Sequence, residues 1–262
     1  MDTVRKTLFR IVTTAILLFL IVPVIAIVPM SFSSGEYFIY PLPGLSLRWY
    51  VEIAQDPRWT RAFTNSLLVG FVSAAVATVL GTLAALGLAR TKAAFARVAF
   101  AVLLAPMLVP IVIVSVSLFF YYSYFGLVGS RLGLVLSHAT LGLPFVVITV
   151  LATLRTYNFN LDRAAESLGA SKVYTFFTIT LPVIAPGVIS GALFAFAVSL
   201  DEVVVTLFLA SPEHTTLPRE IYGGLRESIS PAVIAAATIT IALSCLLMVA
   251  LGVLNRYADR MR

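Results

Sequence analysis

The chain has 262 residues, of which 60% are hydrophobic and 11% are charged, and its mean hydropathy is +1.01. A soluble globular domain carries about 25% charged residues. This composition therefore argues against a soluble enzyme, a disordered chain and a secreted disulfide scaffold. The single cysteine, Cys245, has no partner for an intrachain disulfide.

Six apolar runs are each long enough to cross the roughly 30 Å hydrocarbon core of a bilayer. Helices are favoured because hydrocarbon forces backbone groups to pair within the segment. The predicted fold class is an all-α polytopic membrane protein, with residues 1–262 as one transmembrane domain. The first run follows basic residues like a signal peptide, but no cleavage site follows it, so an uncleaved span is predicted. The spans are predicted near residues 11–30, 62–89, 98–120, 134–154, 185–209 and 232–254.

The charges of the connecting segments predict the orientation. Six spans place both termini on one side of the membrane, together with residues 90–97 and 155–184. That side holds 12 of the 18 basic residues and 4 of the 12 acidic ones. The positive-inside rule then places both termini in the cytoplasm.

A short helix is predicted within residues 45–60, in the first outer segment. It is expected to lie at the membrane surface, where Trp and Tyr are enriched. Its predicted apolar face consists of Leu47, Tyr50, Val51 and Ala54.

The longest connection on the basic side, residues 155–184, predicts an elbow of two short helices. Asn160 is a suitable cap for a first helix over Leu161–Leu168. Gly169 is a suitable residue to end that helix, because glycine adopts the left-handed conformation at low cost.

The second helix of the elbow is expected to begin after Ser171 and to end before Pro182 and Pro186. It carries Phe176 and Phe177 on a segment that lipid cannot fully cover. An exposed apolar surface beside the membrane indicates a docked partner. A helix pair that packs on its own bundle is the alternative.

The elbow also carries a recognisable spacing. Residues 163–169 read Arg-Ala-Ala-Glu-Ser-Leu-Gly, and Ile-Thr-Leu-Pro follows at residues 179–182. This resembles the EAA loop of ATP-binding cassette importer permeases, in which Glu-Ala-Ala, three residues and Gly precede Ile-x-Leu-Pro by nine residues. The family's Glu is Arg163 here. By this resemblance, the residues that couple the chain to an ATPase are Ala164, Ala165, Glu166, Gly169, Ser171, Phe176, Phe177, Ile179, Leu181 and Pro182.

The resemblance extends over most of the chain and is closest to the second permease subunit of spermidine/putrescine importers. It implies a non-catalytic subunit with six transmembrane helices of the type I importer kind, in the bacterial inner membrane. The implied partners are a second homologous permease, two copies of an ATP-binding subunit and a periplasmic or extracellular substrate-binding protein. ATP and Mg would bind the ATPase subunit, whose closure would move the elbow and drive alternating access. The similar stretches outside the elbow are Trp59–Ser66, Pro106–Pro110, Ser137–Pro144 and Phe194–Thr206.

Motifs that are missing from the sequence agree with this assignment. No G-x-x-x-x-G-K-[ST] run is present to cradle ATP phosphates. The sequence has no group of His, Cys, Asp or Glu residues at the spacing of metal ligands. Neither a metal nor a cofactor is therefore expected on this chain. The excess of basic residues is explained by the orientation of the chain in the membrane, so no nucleic acid partner is expected.

One acidic pair, Asp201 and Glu202, lies inside a predicted span. Because carboxylates are costly in hydrocarbon, they are expected to face a cavity or a partner charge. The functional hypothesis is a cation-attracting station for a polyamine, and a structural ion pair with the partner permease is the alternative. Phe120 and Tyr121 at the end of span three are candidates to hold the cation by cation–π contact, with an interfacial aromatic belt as the alternative. The face expected to line the path carries Asp201 with Phe194, Val198 and Val205.

Three other functions remain open from the residues alone. The substrate could be another small solute, such as an opine or an aminophosphonate. A stand-alone secondary transporter should show paired broken repeats, and no clear repeat is present. An intramembrane hydrolase would need a catalytic partner for His138, which is interpreted as a hydrogen-bonded structural residue.

Overall fold

The computed structural model describes residues 2–37, 39–91, 94–227 and 230–260. Lys92 and Arg262, two of the bases used to predict the orientation, lie outside these ranges. The chain forms two compact units, one of residues 1–60 with 221–243 and the other of residues 61–220 with 244–262.

The prediction of an all-helical chain is confirmed. Within the described residues, β-structure is limited to one isolated bridge between Ser33 and Leu45. A π-helical turn, Phe176–Thr180, and a 3₁₀ turn, Pro212–His214, supplement the α-helices. The helices are α1 Asp2–Met30, α2 Arg48–Gln55, α3 Pro57–Arg90, α4 Ala94–Leu108, α5 Ile111–Tyr124, α6 Arg131–Leu154, α7 Asn160–Ser167, α8 Lys172–Thr175, α9 Leu181–Asp201, α10 Val204–Leu209, α11 Leu217–Glu227 and α12 Pro231–Arg260.

In the described part of the chain, five helical segments are long and apolar enough to cross a membrane. A bent helix pair, Phe95–Leu108 with Ile111–Tyr124, gives a sixth span if the two halves count as one. This agrees with the six apolar runs of the sequence. The five continuous segments are Arg5–Met30, Pro57–Arg90, Arg131–Leu154, Lys172–Asp201 and Pro231–Ala250.

The third predicted span, 98–120, is not one straight helix. Its two halves, α4 and α5, meet at 104°. Pro110 has no N–H to donate to the carbonyl of Pro106, and it also keeps Val109 out of the helical conformation. The bend therefore follows from the proline spacing, and the prediction of one continuous span is wrong here.

The fifth predicted span, 185–209, is not one continuous helix. The helical segment already begins at Lys172, and it ends at Asp201, before the separate helix α10. Glu202 has an extended conformation, with φ −79° and ψ 114°. Its Oε1 accepts the N–H of Val205 at 2.8 Å. This local side-chain bond replaces the continuing helical ladder, which explains the break.

The short helix predicted in residues 45–60 is present as α2, Arg48–Gln55. Trp49 and Ile53 are buried, whereas Leu47 and Val51 are exposed. The indole N–H of Trp49 donates to the carbonyl of Ser33 at 2.8 Å. A buried Trp normally pairs its N–H, and this bond fixes the rotation of α2 within the first unit.

Helix α6 is central to the second unit. Its side chains Leu134, Val146 and Val150 are fully buried, and its main neighbour is α9. Glycines allow the two helices to approach closely. A Cβ added to Gly191 of α9 would lie 2.8 Å from the Cα of Val146, and one added to Gly142 of α6 would lie 2.8 Å from the Cβ of Ala195. The α6–α9 pair is thus closely packed.

Candidate coupling surface and transport path

The turn of the elbow is a Schellman motif that requires glycine. Gly169 has φ +91°, in the left-handed region that L side chains rarely adopt. The N–H of Ala170 donates to the carbonyl of Ala165, and that of Gly169 to the carbonyl of Glu166. These two bonds satisfy carbonyls at the end of α7. The prediction that Gly169 ends this helix is confirmed.

The start of α7 differs from the prediction. Asn160 is the first helical residue and not the cap. The side-chain oxygen of Asn158 instead accepts the N–H of Asn160 at 3.0 Å. The second cap is as predicted, since the hydroxyl of Ser171 accepts the N–H of Tyr174 at 3.3 Å.

The prolines after the second elbow helix do not end it. The π-helical turn joins α8 to α9, and the N–H of Leu181 reaches back to the carbonyl of Phe176. Pro182 lies in the first turn of α9, where its missing N–H costs little. Pro186 lies inside α9, as membrane helices tolerate. Helical structure therefore connects the elbow directly to the fifth span.

A buried carboxylate fastens the elbow to the rest of its unit. Asp162 has a side chain only 8% exposed and pairs with Arg90, the last residue of α3, at 2.9 Å. Its Oδ1 accepts the hydroxyls of Thr180, at 3.0 Å, and of Tyr157. Arg90 also lies over the ring of Phe159, 5.8 Å from its centroid. Asp162 thus holds together α3, α7 and the π-helical turn.

The ionisation of this cluster follows from its surroundings. Burial raises the pKa of the Tyr157 phenol, and its hydrogen bond to Asp162 raises the pKa further. The phenol therefore stays protonated and remains a donor to the carboxylate. Asp162 is one of the four acidic residues on the predicted cytoplasmic side, and its place one residue before the Arg-Ala-Ala run was the signal for it in the sequence.

Most of the predicted coupling residues lie at the surface of the elbow. Ala164, Glu166 and Ser171 are exposed, as is Arg163 at the family's Glu position. The half-buried ones are Ala165, Phe176, Ile179 and Leu181, and Pro182 is exposed.

Four large apolar side chains of the loop are exposed, and we call this set the elbow surface. Their exposed fractions run from 61% to 89%. Side chains of this type are stabilised by removal from water, so the elbow surface has the chemistry of a docking site. Its members are Leu168, Val173, Tyr174 and Phe177.

The two acidic residues of the fifth span have different surroundings. Glu202 is half-buried, and its carboxylate accepts a hydrogen bond from the N–H of Val205. Asp201 ends α9, is exposed, and makes no hydrogen bond or ion pair with the described side chains. The expectation that Asp201 shares a face with Val205 is wrong, because the helix breaks between them and Val205 is fully buried. Phe194 and Val198 do precede Asp201 on one helix at helical spacing.

The two aromatic candidates are both exposed, Phe120 by 70% and Tyr121 by 61%. Tyr121 also lines a mainly apolar cavity of about 360 Å³ between α3, α5 and α6. Phe120 is not part of this cavity. No contact in the described residues brings either ring to Asp201, and their transport role stays a prediction.

The helical fold, the broken spans and the exposed elbow define a membrane permease of the importer class. The chain belongs to the family described as binding-protein-dependent transport system inner membrane component, whose model matches residues 77–260. The resemblance found in the sequence is thereby confirmed.

Similar proteins agree with this family. The chain is 32% identical over 243 residues to the spermidine/putrescine transport system permease protein PotC of Escherichia coli K12, covering 93% of this chain and 92% of PotC. It is 34% identical over 228 residues to the putrescine transport system permease protein PotI of the same organism, covering 84% and 81%. A bacterial ABC transporter that imports the acidic polysaccharide alginate has the same fold, with a TM-score of 0.74, 17% identity, and 98% and 97% coverage.

Proposed function

We propose that this permease imports a polyamine or a related small amine. The observation that carries the proposal is its 32–34% identity to PotC and PotI, which are named for spermidine and putrescine. The exposed carboxylate of Asp201, at the broken end of the fifth span, supports a cationic substrate because it offers a counter-charge. An opine or an aminophosphonate is the alternative cargo.

The energy for transport would come from a separate ATPase subunit that holds ATP and Mg. The elbow surface supports this, since its apolar side chains are exposed while Asp162 and the continuous helix to Asp201 fix the elbow to the spans. A partner that moves the elbow therefore moves α9. Alternating access would follow from that motion.

The working assembly would contain this chain, a second homologous permease, two ATPase subunits and an outer substrate-binding protein. Both termini would lie in the cytoplasm, on the side of the elbow. The excess of basic residues on that side supports this orientation. The exposed apolar helices then face lipid or the second permease.

Uptake by the assembled complex tests the proposal. The complex would be purified with its partner subunits, placed in lipid vesicles with ATP inside, and supplied with binding protein and labelled putrescine or spermidine. We expect ATP-dependent uptake that unlabelled polyamine suppresses and an excess of an opine or an aminophosphonate does not. Uptake suppressed by one of those solutes instead would assign the alternative cargo, and ATP hydrolysis by the purified chain alone would contradict the division of labour.

A further inference from the structure

A buried chain of hydrogen bonds crosses the break between α9 and α10. His138 of α6 is 1% exposed. Its Nδ1 lies 2.7 Å from the hydroxyl of Ser199, before the break, and its Nε2 lies 3.2 Å from the hydroxyl of Thr206, after it. One imidazole therefore connects both halves of the broken span to the central helix of the unit.

The chain continues beyond the imidazole at both ends. The hydroxyl of Ser73 in α3 donates to that of Ser199 at 3.3 Å. The hydroxyl of Thr206 donates to the backbone carbonyl of Glu202 at 3.4 Å. Ser73, Ser199 and Thr206 are all buried. The Ser73 hydroxyl also lies 3.1 Å from the carbonyl of Gly70 in its own helix, which is a second acceptor for its single proton.

A neutral imidazole satisfies the whole series. With hydrogen on Nε2, His138 donates to Thr206 and accepts from Ser199 through Nδ1, and each hydroxyl donates once. The last acceptor is the carbonyl of Glu202, a backbone group freed where the helix stops. An unpaired carbonyl in these partly buried surroundings would be costly. The bond of Glu202 to Val205 and the hydrogen-bond chain through His138 both stabilise the break, and His138 connects its two sides.

We infer that His138 is a positioning residue for substrate entry, and that it acts by holding the end of α9 where Asp201 is presented. This rests on the proposed role of Asp201 with a cationic substrate. Two features connect the residues: Ser199, the partner of Nδ1, is two residues before Asp201, and Glu202, the end of the hydrogen-bond chain, is the next residue. Loss of the imidazole would free the last turn of α9 and the extended residue that follows.

A double-mutant cycle on uptake tests this inference. The variants are His138→Gln, Asp201→Asn and the combination, each assayed as assembled complex in vesicles with labelled putrescine. Loss of neutral hydrogen bonds of this kind changes a rate by about three- to tenfold. If His138 acts through Asp201, the double variant should lose no more uptake than the stronger single variant. Ser137→Ala is the matched control, because Ser137 is equally buried on α6 but bonds to Gly133 of its own helix and to Tyr122, and not to the α9–α10 break.

The outcomes separate the two proposals. Losses that multiply in the double variant would contradict the positioning role and leave the proposed substrate path intact. Wild-type uptake in Asp201→Asn would contradict the path itself, and the positioning role with it. If His138→Gln does not assemble, Ser199→Ala and Thr206→Val each remove two bonds of the chain, one of which is a bond to His138. Each of these variants is then combined with Asp201→Asn. Non-additive losses of uptake support the positioning role, and losses that multiply contradict it.

Discussion

Arg90 and Asp162 form an ion pair of 2.9 Å between the last residue of α3 and the first turn of α7. The pair is asymmetric, because the Arg90 side chain is 54% exposed and that of Asp162 is 8% exposed. Water screens the arginine, so the pair itself contributes little. The carboxylate, in contrast, is the shared acceptor of Tyr157 and Thr180, which are buried.

The asymmetry predicts unequal effects on stability. Asp162→Ala leaves two buried hydroxyls without their acceptor, and we expect a loss of about 3 kcal/mol. Arg90→Ala removes a screened charge and should cost about 1 kcal/mol or less. Thermal unfolding of the purified protein in detergent measures both. Arg97→Ala is the control, since Arg97 is exposed and has no ion pair in the described residues; equal losses for all three variants would contradict the account.

The turn at Gly169 gives a second prediction. Gly169→Ala places a Cβ on a residue with φ +91°, although the surrounding space is open. We expect a cost of about 1–2 kcal/mol from the left-handed conformation alone. The elbow should change shape, so ATP hydrolysis should become less coupled to uptake in the assembled complex.

Gly87→Ala provides the control for this turn. A Cβ on Gly87 would also meet open space, but Gly87 lies inside α3 with ordinary helical geometry. There alanine should stabilise the helix by about 0.5–1 kcal/mol. The measurement is the ratio of substrate taken up to ATP hydrolysed. A wild-type ratio in Gly169→Ala would show that the turn has no part in coupling.

The sequence predicts the helical class and the elbow because both depend on short-range chemistry. Apolar runs of spanning length, Gly169 at a helix end and Ser171 at a helix start are properties of a few neighbouring residues. The sequence did not predict the break at Glu202. The N–H of Val205 can bond either to a backbone carbonyl of a continuing helix or to the side chain of Glu202, and in the structure it bonds to the side chain. The sequence has neither a change in its apolar run nor a proline at this position that would indicate which bond forms.

The candidate sites show the same limit. Phe176 and Phe177 looked alike in the sequence, but Phe177 is 61% exposed whereas Phe176 is half-buried, because successive residues of a helix point in different directions. Asp162 gains its importance from Arg90, 72 residues away, and His138 from Ser199, 61 residues away. Partners at such separations depend on how α3, α6 and α9 pack, which a single sequence does not contain.

The elbow surface gives a third prediction. Phe177→Glu places a charge on a side chain that is 61% exposed in this structure, so the isolated permease should fold normally. The charge would have to be desolvated against an apolar partner surface, which is costly. We expect the variant to lose most of the ATPase subunit in copurification. Tyr37→Glu is the control, since Tyr37 is also highly exposed but lies outside the elbow and the spans; retention of the ATPase by both variants would place the contact elsewhere.

The last prediction compares the two carboxylates of the fifth span. Asp201 is exposed and has no bonded partner in the described residues, whereas Glu202 already accepts the N–H of Val205. Asn and Gln keep the shapes and remove the charges. Asp201→Asn should therefore slow uptake of a polyamine, because it removes a counter-charge from the mouth of the path. Glu202→Gln keeps an oxygen for Val205 and should have the smaller effect.

Uptake by matched amounts of assembled complex, measured over a range of salt concentrations, gives the decisive comparison. An exposed charge acts through a field that salt screens within about 8–10 Å at physiological ionic strength. The difference between wild type and Asp201→Asn should therefore shrink as salt rises, while any effect of Glu202→Gln on the cap of α10 should not. If Glu202→Gln is the more damaging variant at every salt concentration, Asp201 is not the cation's counter-charge. In that case the break of the fifth span affects transport through the shape of the chain and not through the charge of Asp201.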